Sequence, residues 1–173
     1  MTLQDLMDRA ILITNLTIGN EALFYYNELI DYLLAKYPDK ITAPKTETVD
    51  LHGDNKFTVP SHWAFVLKVT DKEDRRVYCD TVDDTMIFPY SGEFTITYTK
   101  KPAFMKSLDE PLEHNRIFNM CIPYYFAWKM SERDRLSANQ VQKFQGLFYE
   151  YLNAAIKKKS KFGLKRIKVP RFR

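Results

Sequence analysis

The residues best able to do chemistry lie at the C-terminal end. Residues 157–173 hold nine Lys or Arg and no acid. Such a run can neutralise the phosphates of a nucleic acid. Phe162, Leu164, Ile167, Val169 and Phe172 are interleaved with the charges, which sets the segment apart from a purely solvated tail. The stretch 164–169 could also add as a strand to a partner's sheet edge. Phosphate contact, a solvated end and docking on a partner are all open from these residues alone, and docking accounts best for the interleaving.

Elsewhere the chain is sparing with reactive groups. It has neither a G-x-x-x-x-G-K-[ST] loop nor a G-x-G-x-x-G turn to cradle phosphates. His52, His62 and His114 form no H-x-x-x-H pair and no Cys/His ligand spacing, so no metal is expected. No G-x-S-x-G elbow or Cys–His signature marks a nucleophile. Asp80, Asp83 and Asp84 invite a cation, but the glycine and downstream glutamate of a calcium loop are missing. A solvated hairpin is the expected reading. Cys79 and Cys121, far apart in sequence, are expected as free thiols. No catalytic residue and no cofactor follow from the sequence.

The elements that must position these residues are legible from periodicity. Thr2-Leu3-Gln4-Asp5 has the spacing of a capping box, and Leu3, Leu6, Met7, Ala10 and Ile11 follow at helical intervals. Asn20 can cap a second helix striped by Leu23, Tyr26, Leu29, Ile30, Leu33 and Leu34. The two read as an αα-hairpin. From 41 to 101 the period changes to that of short strands, at 46–51, 56–59, 63–69, 75–79, 85–88 and 93–99. Phe94, Ile96 and Tyr98 alternating with Thr95, Thr97 and Thr99 are the clearest case. Asp109-Glu110-Pro111 then reads as a helix entry. Ile117, Met120, Cys121, Tyr124 and Trp128 read as the stripe of a third helix, with Pro123 kinking it. Ser137-Ala138-Asn139-Gln140 is a second capping box, before a face of Val141, Phe144, Phe148, Tyr151, Leu152 and Ala155.

These elements predict an α+β fold. A bundle of about four helices, two N-terminal and two C-terminal, flanks an antiparallel β insertion, and an extended basic tail follows. One domain is expected over 1–156, with helices within 2–37 and 111–156, the insertion at 41–101 and the tail at 157–173. The 173 residues suffice for a sizeable core. No apolar run approaches the 18 or so residues of a membrane span, and the N-terminus lacks a signal-peptide pattern. The net charge of +4 is uneven. Without the nine bases of the tail, 17 basic residues face 22 acidic ones, a body at −5.

Eleven Tyr and twelve Phe are more than one helix face needs. Phe24-Tyr25-Tyr26 and Tyr124-Tyr125-Phe126 could stack on bases, but core and subunit packing is the expected use. Adjacent aromatics are not expected both to face one core. Tyr124 and Trp128 are therefore expected inward, and Tyr25, Tyr125 and Phe126 at a subunit interface or helix-pair contact.

Three stretches carry a family likeness: KFTVPSHWAFVLKV at 56–69, GEFTITYTKKP at 92–102, and HNRIFNMCIPYYFAWKM at 114–130 with the helix 141–156 after it. In pattern and order the chain resembles the head–tail connector (adaptor) proteins of tailed bacteriophages. The resemblance implies a virion structural protein without enzymatic activity, assembled in the host cytoplasm and sited between capsid and tail. It implies a ring of about a dozen copies, bound to the portal protein and to the next tail or collar ring, with genomic DNA passing through the lumen and no membrane contact. The C-terminal segment occupies the place that reaches the portal in that family. By position, Lys157, Lys158, Lys159, Lys161, Phe162, Leu164, Lys165, Arg166, Ile167, Lys168, Val169, Arg171, Phe172 and Arg173 become the expected portal-binding residues. A nucleic-acid-binding packaging or regulatory protein, or another tail ring such as a tail-completion protein, is the alternative.

Overall fold

A computed structural model describes residues 1–157. The chain is α+β, with a helix pair on each side of a β insertion in sequence. Within the stretch 1–156 expected as one domain, the described residues form two compact units. One comprises Met1–Lys36 with the described residues from Pro102, and the other comprises Tyr37–Lys101. The insertion stands apart because its strands enclose an apolar core of their own.

In the helical unit, α1 (Leu3–Thr14) starts on the expected box. The Thr2 hydroxyl accepts from the Asp5 N–H at 3.3 Å, and the Asp5 carboxylate accepts from the Thr2 N–H at 2.7 Å. Asn15 ends the helix at φ 58°, a left-handed cap that asparagine tolerates. At the entry to α2 (Glu21–Lys36), the Glu21 carboxylate rather than an Asn20 cap takes the Gly19 N–H. The two helices do not form the expected hairpin. Each packs instead on α3 (Ile122–Arg133), which also carries α4 (Ala138–Lys157). Lys129 of α3 pairs with Glu28 of α2 at 3.0 Å, and Arg133 of α3 bridges Glu21 and the Thr17 carbonyl.

The third helix departs most from expectation. It does not start at Pro111, which forms a lone β-bridge with Thr2. Only a 3₁₀ turn at Arg116–Phe118 precedes it, capped by the Asn115 side chain. Pro123 lies in the first turn of α3 and causes no kink there. A missing N–H costs nothing at that position, whereas inside a helix it would cost about 3 kcal/mol. The buried stripe is therefore Ile122, Tyr125, Phe126 and Met130, and Met120, Tyr124 and Trp128 leave the core. The stripe counted from Ile117 ran through residues that are not helical, so its phase was wrong.

α4 has the expected face, with Phe144, Phe148, Leu152 and Ala155 buried. The Gln140 carboxamide oxygen takes the Ser137 N–H and hydroxyl, which is one arm of the expected box.

The β unit holds two three-stranded antiparallel sheets. The first orders β1 (Lys45–Leu51), β6 (Gly92–Lys100) and β3 (Trp63–Asp71), with β6 central. The second orders β2 (Lys56–Thr58), β5 (Thr85–Ile87) and β4 (Asp80–Val82). β6 alternates as its sequence requires, with Phe94, Ile96 and Tyr98 buried. Val49 lies opposite Phe94, and Val69 opposite Ile96. Trp63 stacks on Tyr98 at 3.8 Å between ring centroids. Val77, Met86 and Phe88 join the same core from the rest of the insertion.

The expected strand 75–79 shrinks to a single bridge between Thr70 and Arg76. Asp71 explains the shortening. Its carboxylate accepts from the Glu73 and Arg75 N–H groups and from Arg75 Nε, which closes a tight tip with Asp74 at φ 60°. The chain then leaves the first sheet and enters the second at Asp80.

Candidate interaction surfaces

Helix α4 ends at Lys157, an exposed side chain. The other expected portal-binding residues, Lys158 to Arg173, lie outside the described residues. The expected interface residues are corrected. Phe126 is completely buried and Tyr125 only 6% exposed, because the true stripe of α3 turns both into the unit's own core. Tyr125 does serve a helix-pair contact, its ring 5.2 Å from that of Phe148 on α4. Tyr25 is half-buried, and its neighbour Phe24 is 67% exposed.

The apolar surface that α1 and α3 leave to solvent lies elsewhere on the helical unit. Leu12, Ile13 and Met120 are exposed beside Pro123 and Tyr124, around a shallow groove of about 280 Å³ with Arg9 on its wall. Tyr124 itself stacks flat on Tyr151 of α4 at 4.7 Å. α2 places Phe24, Glu28 and Asp31 on one exposed face.

A larger groove runs through the β unit, about 700 Å³, with Trp63, Val66, Val77 and Met86 on its walls and Asp83 and Asp84 at its rim. Asp80, Asp83 and Asp84 sit on the solvated hairpin expected for them, with Asp83 at φ 53° in the turn. No cluster of His, Cys, Asp or Glu among the described residues has the geometry to hold a metal ion. The Trp63 indole N–H, on a buried side chain, has no acceptor among the described residues.

The most elaborate polar arrangement was invisible in sequence. His114 is buried, with Nδ1 at 2.7 Å from the Tyr26 hydroxyl and Nε2 at 2.7 Å from Asn119 Oδ1. The carboxamide oxygen can only accept, which assigns the proton to Nε2 and leaves Nδ1 to accept from Tyr26. Burial pushes the imidazole down to about 4 and the Tyr26 hydroxyl well above its usual range. The ring is therefore a neutral structural tie between α2 and the segment before α3. No local spacing announces it, since Tyr26 and His114 are 88 residues apart.

The thiols are equally quiet. Both are unpaired, and burial raises Cys79 to about 11 and Cys121 to about 12, which suppresses the thiolate at neutral pH. Asp71 is also buried. Desolvation pushes its carboxyl up, but the Arg75 backbone N–H and guanidinium outweigh it and hold the group below its ordinary value. Among the described residues, no helix is long and apolar enough to cross a membrane.

No protein-family model matches this sequence, and no curated protein is significantly similar to it.

Proposed function

We propose that this chain is a structural subunit of a head–tail adaptor ring in a tailed bacteriophage. It binds the portal vertex, joins it to the next tail or collar component, and lets DNA pass through the ring. It catalyses no reaction and resides in the neck of the virion. The observation that carries this reading is the order of elements, a β insertion that falls between two helix pairs in sequence. The stretches that resemble the family fall on β2–β3, on β6, and on the 3₁₀ turn with α3. Two further features support it. The helical unit keeps Leu12, Met120 and Phe24 in water, and such surface favours neighbours in an assembly. A ring built by rotation needs two different contact faces on each copy, and the Leu12–Met120 groove and the Phe24 face of α2 are candidates. The body's charge of −5 over 1–156 would also weaken its hold on passing phosphates.

The nine bases of 157–173 favour one other reading, a nucleic-acid-binding packaging or regulatory protein. Deleting 157–173 separates the two. An adaptor loses portal binding while its DNA affinity changes little. A steep collapse of DNA affinity with assembly intact would overturn the adaptor reading. Within that reading, Leu12→Ser with Met120→Ser leaves the fold unchanged and weakens ring formation on the portal.

A further inference from the structure

The groove of the β unit has an unused strand edge along one side. β3 pairs with β6 on its first edge over its whole length. Among the described residues its second edge is met only near Thr70, by the Arg76 bridge and the Val77 N–H on the Val69 carbonyl. Residues 64–66 border the groove on this side. A strand edge with free N–H and C=O groups recruits another extended segment unless something blocks it. Bulges, the usual protection, do occur in β3 at 63–65 and 66–68. The described residues nevertheless leave open the apolar groove beside them, with walls that include Val59, Trp63, Val66, Val77, Cys79 and Met86. Its rim is acidic at Asp83 and Asp84, with Asp80 on the same hairpin, and none of the three makes an ion pair among the described residues. Lys101 also contributes to the lining.

We propose that this groove seats the chain's own C-terminal segment, residues 164–169, as an added strand on the free edge of β3. Leu164-Lys165-Arg166-Ile167-Lys168-Val169 has the matching chemistry. In an extended strand Ile167 and Val169 share one face with Lys165 at its edge, and Arg166 and Lys168 share the other with Leu164. One face meets the apolar walls, and the other brings cations to an acidic rim whose carboxylates form no ion pair among the described residues. The six residues between Lys157 and Leu164 can span up to about 20 Å, and the whole segment about 50 Å. Tethering raises the effective concentration of such a segment to the millimolar range, so its own groove competes well against a free partner. The proposal does not depend on the adaptor reading. If both hold, the seat keeps the segment until the portal takes it.

The test uses the full chain and its native groove thiol, Cys79. Ile167→Cys is compared with Arg166→Cys under mild oxidation, with peptide mapping to identify the bond. A seated strand crosslinks Cys79 to position 167 at least tenfold faster than to position 166, at a rate independent of protein concentration. Amide exchange at 64–68 is slow in the native chain and speeds up at least tenfold in Ile167→Asp/Val169→Asp. Asp83→Asn/Asp84→Asn speeds it up a few-fold, and less at high salt. Equal crosslinking from both positions, fast exchange at 64–68 in the native chain, or crosslinked dimers whose yield rises with concentration would each overturn the proposal. The last result would assign the groove to the segment of a second copy.

Discussion

The two units finish their surfaces differently. The helical unit closes its polar groups on itself: Tyr26, His114 and Asn119 satisfy one another in its interior, and Lys129 and Arg133 of α3 hold the acids of α2. What it leaves over is apolar, at Leu12, Phe24 and Met120. The β unit does the reverse. Its apolar side chains converge in one core, and what the described residues leave over is a strand edge, a groove and three carboxylates without an ion pair. A leftover apolar patch favours packing against another folded surface. A leftover strand edge favours an extended segment. The contrast favours the helical unit for the proposed subunit packing and the β unit for the proposed strand capture.

The first way to break this comparison is to attack each core. Phe126→Ala in the helical unit and Phe94→Ala in the β unit both remove a completely buried ring, and each should cost about 3–5 kcal/mol. The units carry one tryptophan each, Trp128 and Trp63, so fluorescence in denaturant reports which core gave way. Phe126→Ala should shift the Trp128 signal first. A Trp63 signal that moves first would contradict the assignment of Phe126.

A pH titration tests the interior of the helical unit next. Folding lowers His114 from its ordinary 6.5 to about 4. The unfolded state therefore binds the proton first, and stability falls as pH drops from about 6.5 towards about 4, by about 3 kcal/mol in all. Above 6.5 the group contributes no pH dependence. Urea unfolding at pH 7 and pH 4.5 should show the loss in the native chain and a smaller one in His114→Gln. Equal losses would mean that the carboxylates, not His114, carry the effect.

Two smaller substitutions sharpen the account of the helices. Gly146 lies mid-way along α4, exposed, and a Cβ there meets nothing within 4 Å. Gly146→Ala should raise stability by about 0.5–1 kcal/mol. Pro123→Ala should change it by less than about 1 kcal/mol, because the ring sits where a helix tolerates proline. A larger gain from Pro123→Ala, read by thermal melting, would mean that Pro123 strains α3 after all.

The β unit was the more legible in sequence. A period of two cannot drift over nine residues, so Phe94, Ile96 and Tyr98 pointed inward as expected, and Pro60 and Gly53 marked the breaks. The strand expected at 75–79 falls instead at Asp80–Val82, and the cause is the Asp71 side chain, whose bonds to the next turn have no pattern in composition. In the helical unit a period of 3.6 punishes a wrong starting point. Placing the start of α3 near Pro111 instead of Ile122 rotated the whole stripe and sent Tyr125 and Phe126 to a surface they do not reach. The candidate sites were least legible, because they are made across long separations. His114 meets Tyr26 from 88 residues away, and the groove joins Val66 of the first sheet to Met86 of the second.

Electron microscopy of the full chain mixed with the portal protein of a tailed bacteriophage tests the central claim most directly. A closed ring of about twelve copies on one face of the portal is the predicted result. Single copies only, with the portal bare, would contradict it.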